Sequence, residues 1–135
     1  MTLENLVRIR QIKKEPPDKK EFEGLVASAI NRLRDAENLT LSYPSRFDLA
    51  YGAAYGLALA ALRASGYRSD KRYQVFQCLV HMTDLDKGAI GLLSKCHEKR
   101  NLAEYEGRFE VDERLLDELI ESAKKLKKIV EGIKL

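Results

Sequence analysis

Residues 46–66, RFDLAYGAAYGLALAALRASG, decide the fold. The stretch is dominated by alanine and leucine, with glycine interspersed. Side chains this small let a neighbouring helix approach closely. The reading is a long helix, about 46–64, at the centre of a helical bundle, stopped by Ser65-Gly66.

The flanking segments carry helical spacing too. Ser45 is the expected N-cap of the central helix, after a loop at 39–44. Before it, Phe22, Leu25, Val26, Ala29, Ile30, Leu33 and Ala36 recur at three- and four-residue intervals, an amphipathic helix running to Asn38. Asp18 with Glu21 three residues later forms a capping-box signature at its start. A first helix over 2–14 carries Leu3, Leu6, Val7 and Ile9 and ends before Pro16-Pro17. On the other side, helices are predicted over 70–82, with Tyr73, Phe76, Leu79 and Val80, and over 86–105, ending at Gly107. Asp112 caps a last helix whose stripe is Leu115, Leu116, Leu119, Ile120, Ala123, Leu126, Ile129, Val130 and Ile133. No segment alternates with period two, so no sheet is expected. Short connections favour antiparallel neighbours. The predicted fold class is therefore all-α, an up-and-down antiparallel bundle of about five to six helices in one domain spanning 1–135.

Length and composition agree with one globular unit. A chain of 135 residues buries roughly 70% of its unfolded surface and needs no disulfide or metal to fold. Cys78 and Cys96 lie in apolar helical stretches and read as buried thiols of a reducing compartment. No apolar run approaches the roughly 18 residues of a membrane span, and no leader pattern opens the chain, so the expected location is cytoplasmic with no membrane partner. The net charge of +3 discriminates little. Its distribution says more. Arg63, Arg68, Lys71 and Arg72 stand against Asp70 with Tyr67 and Tyr73 interleaved, and a lysine-rich run closes the chain. Bases with aromatics between them can hold phosphates and stack on nucleobases, although such runs commonly form solvated faces and loop tips.

One helix breaks its own pattern. Ala89, Leu93, Cys96 and Ala103 form an apolar seam over 86–105, and Arg100 occupies the gap in it. A buried, unpaired arginine would cost several kcal/mol, so Arg100 requires a partner or an interface. Glu104 at i+4 is one partner; His97, Asn101 and Tyr105 complete a polar cluster. Asp48, Tyr51 and Tyr55 form a second polar stripe on the central helix. Tyrosines on such a helix commonly sit at the rim of the core with the hydroxyl in water; the alternative is a site facing Arg100. No metal-ligand pattern links His81 and His97, and adjacent Cys96 and His97 point about 100° apart and cannot touch. There is no glycine-rich phosphate loop. No metal or cofactor is expected.

The stretches AYGAAYGLALAALRASGYRS and KRNLAEYEG together resemble the HEPN family, helical-bundle domains named for nucleotide binding. The second stretch is similar to the branch in which Arg-Asn is followed by an acidic residue and Tyr. The resemblance implies a homodimer, and for active members a metal-independent endoribonuclease whose Arg is followed four to six residues later by His. It also implies a nucleotidyltransferase-type antitoxin partner or a defence system. Carried over, Arg100 matches the family's Arg and Asn101 the polar residue after it. No His follows Arg100, and His97 precedes it, so the general acid/base of cleavage is missing from the motif. The expectation is a degenerate member that binds RNA, a nucleotide or a cognate partner through Arg100, Asn101, Tyr51, Tyr55 and Asp48. Two alternatives stand beside it. One is an active ribonuclease toxin using Arg100 with Glu104, Tyr105 or His97. The other is a purely structural helical interaction protein.

Overall fold

The alanine-rich stretch forms α3, Tyr43–Ala64, and every other long helix packs on it. The computed structural model describes residues 2–106 and 111–135, and of 103–106 the helical backbone. In chain order the elements are α1 Leu3–Arg8, β1 Lys13–Lys14, α2 Lys19–Ala36, α3, β2 Tyr67–Arg68, α4 Arg72–Met82, α5 Lys87–Glu106 and α6 Glu113–Glu131. The fold is all-α. Consecutive long helices pack against each other, and α6 returns to cover α2, α3 and α5. Among the described residues no helix is long and apolar enough to cross a membrane.

Small residues set the spacing at the centre. Ala50, Ala53, Ala54, Ala58 and Ala60 of α3 are all fully buried, as are Ala36 of α2 and Ala123 of α6. A Cβ added at Gly56 would stand 3.6 Å from the Ala29 Cβ, ordinary van der Waals contact, so α2 and α3 approach as closely as two alanine faces allow. Leu57, Leu62, Phe47, Phe76, Leu79, Leu116, Leu119 and Leu126 fill the remaining volume. Cys78 and Cys96 are buried free thiols. Burial pushes Cys96 up to about 12, so it stays protonated and inert.

Four local expectations need correction. The first helix stops at Arg8, because Arg10 takes a left-handed φ of 62° that breaks helical geometry. The chain then runs extended and Lys13–Lys14 pairs antiparallel with Tyr67–Arg68, a two-residue ladder where no sheet was expected. The N-cap of α3 is Ser42, whose Oγ accepts from the Ser45 amide at 3.3 Å, and Pro44 falls in the first turn, where its missing N–H costs nothing. At α2, Asp18 accepts from the Glu21 amide at 3.0 Å, but Glu21 does not reach back to complete the box. Its carboxylate is held by two arginines instead.

That diversion is the fold's main polar feature. Arg63, near the end of α3, is only 1% exposed. Its Nε donates to Glu21, Nη1 to the carbonyls of Glu15 and Tyr67 at 3.0 Å each, and Nη2 to the Pro16 carbonyl at 2.7 Å. Nη2 also stands 3.3 Å from the Glu15 carboxylate, so all five N–H groups of the guanidinium have an oxygen to face. Arg68 closes the second side, 2.6 Å from both Glu15 and Glu21. Hydrogen bonds from Arg68 and then Arg63 pull the Glu21 carboxyl below its ordinary value. Arg63 and Arg68 therefore fasten the linker before α2 to the end of α3. They are not the phosphate-binding tip that the basic run 63–73 suggests.

Candidate functional site

The site lies where α3, α4 and α5 meet. α3 supplies Tyr51 and Tyr55, four residues apart and so on one face. α4 supplies Arg72, Tyr73 and Phe76, and α5 supplies His97, Arg100 and Asn101. Phe76 is fully buried and forms the floor. Its ring meets Tyr51 edge-on at 5.9 Å, Tyr55 at 6.1 Å and His97 at 6.4 Å. Tyr51 also stacks with His97 at 6.3 Å and with Phe47 at 6.5 Å. Contacts of this kind add about 0.5–1.5 kcal/mol each beyond area burial, so the site's floor is also part of the core.

Tyr51 is 1% exposed, and its hydroxyl is not in water. It lies 2.9 Å from His97 Nδ1. The other ring nitrogen, Nε2, is 3.2 Å from the Asn101 side-chain nitrogen. Both ring nitrogens are thus engaged, one by the Tyr51 hydroxyl and one by the Asn101 amide. The electrostatics favour the neutral imidazole. Burial, then the charges of Arg72 and Arg100, lower the His97 pKa from its ordinary value. Burial raises Tyr51 and Tyr55, with the arginines only partly offsetting it, so both phenols keep their protons.

Two guanidiniums converge on these rings. The Arg100 guanidinium carbon lies 5.1 Å from the Tyr51 centroid; that of Arg72 lies 4.7 Å from Tyr55 and 6.0 Å from Tyr51. Each is a cation–π distance. Arg72, Arg100, His97 and Asn101 are all partly exposed, and Tyr73, half exposed, stands 6.1 Å from His97 at the outer lip. The outcome is an aromatic floor, a neutral histidine locked on both nitrogens, and two cations above. It can hold an anion bidentately and can stack a planar group. Proton transfer through His97 would first require breaking its bond to Asn101 or Tyr51.

Tyr51, Tyr55, Arg100, Asn101 and His97 are thus brought together as candidates. The expectation of a wet tyrosine hydroxyl fails at Tyr51, because α4 and α5 close over it. Asp48 does not join them: its carboxylate is exposed and makes no hydrogen bond or ion pair with a described side chain. The side chains of Glu104 and Tyr105 lie outside the described residues. Arg72, Tyr73 and Phe76 were missed as site residues. Arg72 was visible only as one of a run of bases, and nothing in the sequence separates it from Arg68, whose carboxylate partners lie more than forty positions away.

The protonation of His97 has a measurable consequence. Its folded-state pKa is lower than the unfolded value of about 6.5, so the unfolded chain binds more protons below that pH. The stability from the neutral ring is fully present above about pH 6.5 and is lost as pH falls toward the folded pKa. Melting temperatures taken between pH 8 and pH 5 should fall more steeply for wild type than for His97→Gln. Parallel slopes would mean that His97 titrates as an exposed histidine.

No protein-family model, curated protein or solved structure matches this chain.

Proposed function

We propose that this chain is a HEPN-like, catalytically degenerate domain that binds RNA or a nucleotide through the cluster around Tyr51 and does not cleave it. The observation that carries this reading is the convergence of Arg72 and Arg100 over the Tyr51 and Tyr55 rings, with His97 held neutral between Tyr51 and Asn101. Cations above aromatic faces suit a phosphate joined to a stacking base. A setting in which such a protein works is a cytoplasmic toxin–antitoxin or defence-type module, with a nucleotidyltransferase-type protein as cognate partner.

A second reading has its own support. His97 is not placed as the ribonuclease motif places its histidine, yet it lies in the same cluster as Arg100. Metal-independent cleavage would use its imidazole once the Asn101 contact is released. One experiment separates the two. Total RNA is incubated with the protein in EDTA, alongside Arg100→Ala and His97→Gln, and binding is measured in parallel. The expected result is intact RNA throughout, with binding about tenfold weaker in Arg100→Ala, the value of one lost charge-assisted contact. RNA degraded by the wild type and spared by both variants establishes the nuclease. No binding of RNA or of a mononucleotide by any form rejects both and leaves a protein partner.

The quaternary proposal is a homodimer formed beside this cluster. Tyr73 and Val80, two turns apart on α4, are each 48% exposed, with Gln77 between them on the same face. Light scattering at tens of micromolar should give twice the 15.4 kDa chain mass, and Val80→Glu should halve it. A monomeric wild type removes the dimer.

A further inference from the structure

A second recess lies on the other side of Tyr55, between the N-terminal segment, α3 and β2. It has a volume of about 630 Å³, within the range of small-molecule sites. Val7, Ile12 and Leu59 line its floor, with Tyr55 as one wall. Two of its bases are already neutralised. Lys14 pairs with Glu4 at 3.3 Å, and Arg68 with Glu15 and Glu21. Arg10 and Lys13 are different. Both are exposed, and neither pairs with an acid among the described residues. Asp70 is the one acid in the lining.

Arg10 is also the one described non-glycine residue with positive φ. A side chain in the left-handed region is strained, and glycine would hold that turn without the clash. Strained residues of this kind concentrate at ligand clamps. At this turn Arg10 lines a recess that also presents Val7, Ile12, Leu59 and Tyr55. A ligand matched to the recess has an apolar, planar body for the floor and Tyr55, and one anionic group for Arg10 and Lys13. It is small enough to be enclosed. Inorganic anions lack the body, and neutral aromatics lack the charge.

We infer that this recess binds a small amphipathic organic anion, a carboxylate, sulfonate or phosphate on an apolar or aromatic body, with Arg10 and Lys13 as its anion-holding residues. The site shares Tyr55 with the Arg72–Arg100 cluster but none of its cations, and it stands whether or not that cluster binds RNA.

The test titrates the protein with the aromatic sulfonate anilinonaphthalene sulfonate and follows its fluorescence. The expected wild-type result is saturable one-to-one binding. Arg10→Gly separates binding from folding, because it removes the cation and the backbone strain together. It should weaken dye binding by about tenfold while leaving the melting temperature unchanged or a few degrees higher. Lys13→Glu should weaken binding at least as much, with an unaltered far-UV circular dichroism spectrum. Arg100→Ala should leave it unchanged. Sodium sulfate at the same concentration should not displace the dye, whereas a neutral naphthalene should bind weakly and equally to wild type and Arg10→Gly. Dye binding that is unaffected by Arg10→Gly and Lys13→Glu overturns the proposal. So does displacement by sulfate at equal concentration, which would mark a plain cationic patch.

Discussion

Replacing Arg63 by alanine is expected to remove about 3–5 kcal/mol of folding stability, the cost of breaking a buried ion pair from one side. The melting temperature of a chain this size should fall by roughly 10–15 °C. The cause is what remains behind. The carbonyls of Glu15, Pro16 and Tyr67 lose their donor together, in a place where the guanidinium had excluded water. Glu15 and Glu21 are about one-third exposed and keep Arg68, so they contribute the smaller share. Arg63→Lys should restore less than half of the loss, because an ammonium has three donors and no planar fork to reach five oxygens. Thermal melts of the three proteins by circular dichroism measure this directly. A loss under about 1 kcal/mol in Arg63→Ala would mean that water replaces the guanidinium freely.

Phe76→Ala is expected to be comparably severe, about 3–5 kcal/mol, the usual cost of emptying a buried aromatic position. Phe76 has no exposed surface, and three rings of the candidate site rest on it. Its loss should therefore also be felt in His97. Burial is the largest cause of that residue's lowered pKa, so water entering the cavity should move it back toward about 6.5. Proton NMR of the imidazole reports this on the folded fraction. Phe76→Leu, which keeps most of the apolar volume, should restore both stability and pKa in large part. A destabilised Phe76→Ala whose His97 pKa stays put would separate the site from the core beneath it.

These two residues show what could be read from the amino-acid order. Helix periodicity singled out Tyr73 and Val80, which are each 48% exposed, as well as Phe76 and Leu79, which are buried, because that pattern is local and repeats along the helix. The same holds for α2, α6 and the centrality of α3, where small side chains state the packing distance directly. Arg63 was legible only as one base in a basic run. Its partners Glu15 and Pro16 come from more than forty positions earlier, and no local pattern encodes them. Ser42 and Ser45 are both competent caps three residues apart, and the choice of Ser42 rests on Pro44 being harmless in a first turn. At the site, Arg100 stands out in the sequence because it interrupts an apolar seam, and Tyr51 and Tyr55 because of their spacing. The hydrogen bond between Tyr51 and His97 joins residues 46 positions apart on different helices, and Arg72 enters only through the packing of α4 on α3.

The pairing of Lys13–Lys14 with Tyr67–Arg68 bears on the order in which the chain assembles. The paired segments are more than fifty positions apart in sequence. Closing a loop of that size costs about 3–4 kcal/mol of chain entropy beyond a fixed term, and two residues of ladder return little of it. The contact becomes favourable only after α2 and α3 have docked, when the intervening chain is already held and the remaining closure is short. The N-terminal segment is therefore expected to order after the centre of the bundle, when Arg63 and Arg68 are in place to receive it. The recess beside Tyr55, walled on one side by that segment, comes into being at the same step.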